Sequence, residues 1–205
     1  MRLAACPLEN AFVRLEPLEA RHRDGLRAAA EADRDIWERL YPYSLVGEHF
    51  EPYWQRTLRE QDAGSLIGHA VMVDGSVIGV SCILAIDPVN ATVEIGGTYY
   101  RPECRGGVVN PAAKHLLLGH VFASGARRAG FKVDALNARS RAAVLKLGAT
   151  QEGILRRDRV CWTGRIRDTV VFSILAEEWP AVSDRLLSRL ADAPATGTSG
   201  PTPDR

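Results

Sequence analysis

The sequence predicts an α/β protein with a mixed sheet between two helical layers, and three observations lead there. The front half reads as hairpins: β-rich runs at 66–73 and 76–86 flank Asp74-Gly75, a tight-turn dipeptide. The back half alternates: strand 131–136, helix 138–147 closed by Gly148, strand 150–156, which is a strand–helix–strand crossover. Between them lies a helix whose apolar positions fall on one stripe.

Each element has a local reason. Residues 12–16, Phe-Val-Arg-Leu-Glu, alternate and read as a first strand. Residues 18–32 are rich in Ala, Arg, Leu and Glu and read as helix. A second helix at about 51–61 follows a loop carrying Tyr41-Pro42-Tyr43. After the hairpin, Asp87-Pro88-Val89-Asn90 turns the chain into strand 91–100. There the period of two groups Val93, Ile95 and Tyr99 on one face, and Thr92, Glu94, Gly96 and Thr98 on the other. Helix 111–128 starts at Pro111 and pairs Leu117 with Val121 and Leu118 with Phe122, with Arg127 and Arg128 near its C-terminus. Strand 168–176 and a helix after Trp179-Pro180 complete the layout. Residues 1–190 are expected to form a single domain. The tail 191–205, rich in Pro, Gly, Ser and Thr, has almost nothing to bury and is expected to be disordered.

A 205-residue chain with 46% apolar and 25% charged residues can build a sizeable core. Its formal net charge of +1 implies neither a nucleic-acid surface nor an acidic partner. No apolar run is long enough to span a bilayer, and residues 1–10 show no secretory pattern. Cys6, Cys82, Cys104 and Cys161 lack CxxC spacing and read as reduced thiols, which suggests a cytoplasmic protein. Cys104 is either a reactive thiol or a space-filling side chain. The five histidines show no metal-ligand spacing, so no metal is expected.

The most informative stretch is 101–114, Arg-Pro-Glu-Cys-Arg-Gly-Gly-Val-Val-Asn-Pro-Ala-Ala-Lys. A glycine loop feeding a helix exposes several main-chain N–H groups at the positive end of the helix dipole, which suits a phosphate. Neither GxxxxGK[ST] nor GxGxxG is present, which argues against a nucleotide-binding loop of those kinds. Some thirty residues on come the strand, asparagine and glycine-closed helix of 131–149. Together with Gln151-Glu152-Gly153-Ile154-Leu155-Arg156, the run 167–175 and Glu178-Trp179-Pro180, these segments resemble the GNAT superfamily of acyl-CoA-dependent N-acyltransferases. The closer likeness is to its Rim-type branch of ribosomal-protein N-terminal acetyltransferases, over roughly residues 10–190.

That resemblance implies a three-layer α-β-α GNAT fold with a mostly antiparallel sheet, splayed between its fourth and fifth strands to hold acyl-CoA. It implies acetyl-CoA as cosubstrate and an amine acceptor, either a peptide N-terminus or a small molecule; the charge balance and the lack of a spanning apolar run add the expectation of no nucleic acid and no membrane. A homodimer is open by analogy. Arg105, Gly106, Gly107, Val108, Val109 and Asn110 match the family's pyrophosphate loop. Val108 stands where glycine is usual and Asn110 where a small residue is usual. Lys114 either reaches a phosphate or is a solvated surface lysine. Asn137 either bonds the pantetheine arm or caps helix 138–147. Ser140 stands near the thiol in the family and would assist the departing sulfur. The superfamily's usual tyrosine on this helix is absent from Ala143-Val144-Leu145-Lys146. Glu94 is either a base toward the acceptor or a salt-bridged strand residue. Trp37, Tyr41, Tyr43 and Tyr53 either line the acceptor side or simply pack. An alternative to catalysis is a CoA-binding sensor or interaction module on the same fold.

Overall fold

In a computed structural model, which describes residues 1–192, the chain builds one eight-stranded sheet. In chain order the elements are β1 (Leu8–Glu9), β2 (Arg14–Pro17), α1 (Arg23–Glu31), α2 (Asp35–Leu40), α3 (Phe50–Asp62), β3 (Ile67–Val73) and β4 (Ser76–Asp87). Then follow β5 (Thr92–Tyr100), α4 (Val109–Ala123), β6 (Arg128–Asp134), α5 (Ala138–Leu147), β7 (Thr150–Val160), β8 (Ile166–Leu175) and α6 (Trp179–Ala191). The sheet order is β1-β2-β3-β4-β5-β6-β8-β7. Among the described residues only β5 and β6 are parallel neighbours; the other pairs are antiparallel. The expected mixed, mostly antiparallel sheet is therefore present.

Each face of the sheet is covered by its own apolar layer. On one, Leu117, Leu118 and Val121 of α4, Val144 and Leu147 of α5, and Val182 and Leu186 of α6 meet Ile95, Phe131 and Ile174. On the other, Leu26, Ala29, Trp37 and Phe50 of α1–α3 meet Val80, Cys82 and Tyr99. Leu117 and Leu118 are fully buried, and each such burial stabilises by about 1.5–3 kcal/mol. At the hairpin, Asp74 and Gly75 both take positive φ, the two-residue turn that the dipeptide implies.

Several boundaries move, each for a local reason. The helix expected over 18–32 opens with a 3₁₀ turn and becomes α-helical only at Arg23. The helix expected over 111–128 begins at Val109 and ends at Ala123. Pro111 is thus the third helical residue, where its missing N–H still costs nothing, because that N–H has no partner inside the helix. Arg127 and Arg128 do not cap that helix; Arg127 N donates to Ala91 O, and Arg128 opens β6. The strand expected over 131–136 is shifted, since Asp134 Oδ1 accepts from Leu136 N at 2.9 Å and turns the chain. The hairpin β7–β8 is longer than its apolar content suggests, and α2 and β1 had no clear signal. Ala191 closes α6, and the tail expected from there lies, from residue 193, outside the described residues.

One irregularity positions the site. In the β4–β5 register Val80 faces Tyr99 and Cys82 faces Gly96, so Gly97 and Thr98 stand together opposite Ser81. This bulge shifts the strand's phase by one residue. The alternation expected along 92–100 therefore holds only up to Gly96. Beyond it Tyr99 joins the α1–α3 face of Glu94, and Tyr100 joins the face of Val93 and Ile95. Gly97 takes φ +58°, and a Cβ there would stand 3.3 Å from Cys82 Sγ and 3.4 Å from Tyr43 Oη. Gly97→Ala is expected to lower the unfolding free energy by about 1–3 kcal/mol, through left-handed strain and crowding. Urea titration checks this, and an unchanged midpoint would show that the bulge relaxes at no cost.

Candidate active site

β5 and β6 share hydrogen-bonded register only at Thr92–Arg128, Val93–Ala129 and Glu94–Gly130. Beyond Glu94 the strands part, although β5 runs on to Tyr100 and β6 to Asp134. A cavity of about 430 Å³ occupies the gap. Its walls include Gly96, Gly97 and Thr98 of β5, Phe131–Asp134 of β6, Asn137 and Ser140 of α5, and Arg105–Gly107 with Asn110 before and on α4. Loop residues 40–43 also line it, with Asp158, Arg159 and Arg167 from the β7–β8 hairpin.

The glycine loop opens as its composition suggests. Gly106 has φ +82°, and a Cβ on it or on Gly107 would meet nothing within 4 Å. Among the described residues no N–H from Gly106 to Asn110 donates to a protein acceptor, whereas Ala112 N already bonds Val108 O at 2.9 Å. Five successive amides at the head of a fifteen-residue helix are thus left without a protein acceptor, beside the open space at Gly106 and Gly107. Val108 does not disturb this, because only its main chain is needed. Asn110 is held by Tyr100, whose phenol donates to Asn110 Oδ1 at 3.4 Å.

Two basic residues expected at this loop turn elsewhere. Arg105 Nε donates to Tyr100 O at 2.7 Å and its Nη1 pairs with Asp33 Oδ2 at 2.5 Å, so its side chain braces the loop against the α1–α2 corner. Lys114 is not a solvated surface lysine, and its amine turns in toward the strand bulge. It is 5% exposed, and its Nζ donates to Thr98 Oγ1 at 2.6 Å and Ser81 Oγ at 3.0 Å. It reaches the bulge from below, with no carboxylate partner among the described residues, and burial pushes its amine down to about 7. From the opposite face Tyr41 Oη donates to Thr98 O at 2.7 Å, and the Tyr43 phenol approaches Gly97. Burial raises both phenols well above their ordinary range, so they stay neutral. The bulge is clasped from both sides.

The remaining expected residues line the cavity wall. Asn137 caps α5, its Oδ1 accepting from Ser140 N at 3.0 Å, which leaves its amide NH₂ for another partner. The Ser140 hydroxyl makes no hydrogen bond among the described residues. Glu94 pairs with Lys132 Nζ at 3.1 Å, on the α1–α3 face. Tyr43 and Lys114 are the functional candidates that strand and helix periodicity did not place at the bulge. The only sequence signal for the first was its loop, and for the second a polar residue within the helix's apolar run. Cys104 is half-buried, and burial raises its thiol pKa, which favours the space-filling reading. Among the described residues no cluster of His, Cys, Asp or Glu could hold a metal ion, and no helix is long and apolar enough to cross a membrane.

A parted parallel pair beside an amide-lined helix start, the fourth and fifth strands once the two-residue β1 is set aside, is the geometry that the GNAT resemblance implies, and a family model for the acetyltransferase (GNAT) domain matches residues 13–150. The chain belongs to the GNAT acetyltransferase family. It is similar to the GCN5-related N-acetyltransferase from Brucella melitensis, at 32% identity, 92% coverage of this chain and 87% of that one, with a TM-score of 0.83. Mycobacterium smegmatis RimJ in complex with CoA-disulfide is 25% identical over 89% of this chain and 92% of its own, with a TM-score of 0.76. RimL, a ribosomal L7/L12 alpha-N-protein acetyltransferase in complex with coenzyme A, shares the fold at 16% identity, 84% and 99% coverage, and a TM-score of 0.75. No curated protein matches the sequence.

In this GNAT enzyme the buried Lys114 makes stability depend on pH. The unfolded chain holds this proton more tightly than the folded one, so stability rises as the buried amine loses its proton and falls again as pH drops toward 7. Between pH 7 and 9 the wild type is expected to gain about 2 kcal/mol over Lys114→Met, which has nothing to titrate there. Denaturant titrations at the two pH values measure the difference; parallel behaviour of the two proteins would mean that the ammonium is solvated.

Proposed function

We propose that this chain transfers an acetyl group from acetyl-CoA to a primary amine by direct attack on the thioester. The observation that carries the reading is the run of unpaired amides, Gly106 to Asn110, at the mouth of a gap in the sheet that leads to Asn137 and Ser140. The open space beside Gly106 and Gly107 fits a diphosphate, with Arg105 holding the loop in place rather than touching the ligand. When bound, acetyl-CoA supplies a thioester whose carbonyl an amine can attack.

The chain's own groups then divide the work. The Asn137 amide NH₂, left over from capping α5, orients the pantetheine arm as a donor. The Ser140 hydroxyl donates a proton toward the departing sulfur. The Glu94 carboxylate takes the amine's proton, directly or through water, while Lys132 keeps it oriented. An N-terminal amine, at about 7.7–8.0, asks less of that base than a lysine side chain at about 10.4. This favours an α-amine acceptor, a peptide N-terminus or a small molecule.

One observation favours the non-catalytic alternative: Glu94 is already committed to Lys132, as a structural strand residue would be. Turnover separates the two readings. With a panel of free-N-terminus peptides and small amines, acetyl-CoA is expected to release a titratable thiol with at least one α-amine. Ser140→Ala is expected to lower kcat by about 100-fold at unchanged KM for acetyl-CoA. Binding of acetyl-CoA by calorimetry without turnover on any acceptor would leave the sensor; no binding at about 1 mM would sink both.

A further inference from the structure

The cavity has a charged wall that the reaction above does not use. Register pairs Asp134 with Thr169, and Arg159 with Arg167. Strand alternation puts all four on the α1–α3 face with Glu94 and Lys132, whereas the amide loop and α4 lie on the opposite face. Arg167 is 6% exposed. Its Nε is buried without a hydrogen-bond partner, as is the Thr169 hydroxyl beside it. The carboxylate nearest to it, Asp134 Oδ2, is 3.9 Å away and accepts from Arg165 at 2.5 Å. The other Asp134 oxygen accepts from Leu136 N. Neither terminal nitrogen of Arg167 is hydrogen-bonded among the described residues.

Asp134, shared with Arg165, and the nearby Asp158 offset this guanidinium only in part, and among the described residues none of its nitrogens has a hydrogen-bond acceptor. Its cross-strand partner is another arginine, and like charges directly opposite repel. Residues 156–168 carry five arginines against Asp158 and Asp168, and Asp168 accepts from Arg157 N. Arg139 and Arg159 bear on the Tyr41 and Tyr43 phenols as nearby positive charges. A buried guanidinium nitrogen without an acceptor is costly, and an acceptor carried by a ligand would relieve that cost. The planar guanidinium fork matches a carboxylate.

We propose that Arg167, supported by Arg159, is an anion subsite of the acceptor pocket, and that the preferred acceptors carry a carboxylate close to the reacting amine. The proposal rests on the acetyltransferase reading and adds the acceptor's chemical class. The carboxylate is supplied either by an acidic residue near a peptide's N-terminus or by the main-chain carboxylate of a free amino acid. The diphosphate of the cosubstrate is not the partner, because its amides lie across the sheet.

The test compares acceptors matched except for charge: peptide amides beginning Ala-Asp and Ala-Asn, and free alanine against alaninamide. The carboxylate member of at least one pair is expected to show kcat/KM about 10-fold higher or more. A preference in the peptide pair alone assigns an acidic residue, and one in the amino-acid pair alone assigns the main-chain carboxylate. Arg167→Gln is expected to abolish the preference through the acceptor KM, with KM for acetyl-CoA unchanged. The exposed Arg159→Gln, which spares the core should Arg167→Gln fail to fold, is expected to reduce the preference several-fold. Calorimetric titration of the N-acetylated Asp and Asn peptides in the presence of CoA reads the same subsite without turnover. Equal use and equal binding of charged and neutral members by the wild type would overturn the proposal. So would an Arg167→Gln defect confined to acetyl-CoA. Turnover of neutral amines without acid preference defeats this inference alone; absence of all turnover defeats the transferase reading, and product binding still decides the subsite.

Discussion

The structure turns on the interruption of a single ladder. β5 and β6 bond through Glu94 and Gly130 and then separate, although both strands continue. Main-chain groups freed by such a separation need other partners or access to solvent. Here Thr98 O takes the Tyr41 phenol, and the Thr98 hydroxyl takes the Lys114 amine. The bulge at Gly97 bends β5 away from its neighbour, and the turn at Asp134 takes β6 off into α5. The gap is thus held open by side chains from both helical layers, and it connects the two faces of the sheet.

The two faces carry positive potential by different physical means. On one, oriented amides and a helix dipole act without any net charge, and the nearby Arg105 is spent on Asp33. On the other, guanidinium groups of the β7–β8 hairpin supply net charge close to loop 40–43. The hairpin is anchored there by Trp162, whose main-chain N donates to Pro42 O at 3.1 Å and whose indole donates to Trp37 O at 3.0 Å. That docking sets which arginines face the cavity. The buried Lys114 between the faces has hydroxyl partners in place of a counterion, and burial loosens its hold on the proton.

Much of this was legible in the chain. The Asp74-Gly75 hairpin and the 138–147 helix with its Asn137 cap and Gly148 stop follow from local backbone preferences, and the structure keeps them. The hairpin β7–β8 was read too short, because its first strand is almost wholly exposed and arginine-rich and so shows no apolar alternation. The face assignment along 92–100 failed beyond Gly96, since one bulged residue inverts everything after it and leaves no mark in hydrophobic periodicity. Glu94, Asn137 and Ser140 reached the cavity wall, while Arg105 and Lys114 reached it pointing elsewhere.

The sequence alone determined the layered α/β class, the amide-rich helix start and the family resemblance, because turns, caps and glycine loops are short-range features written in a few adjacent residues. Only the tertiary structure decided what each charged side chain does. Arg105 found Asp33, Lys114 found Ser81 and Thr98, and the Arg167 Nε found no hydrogen-bond acceptor, in each case through neighbours far away in the chain. A charge's role depends on burial and on the partner across space, and neither is encoded in its local pattern.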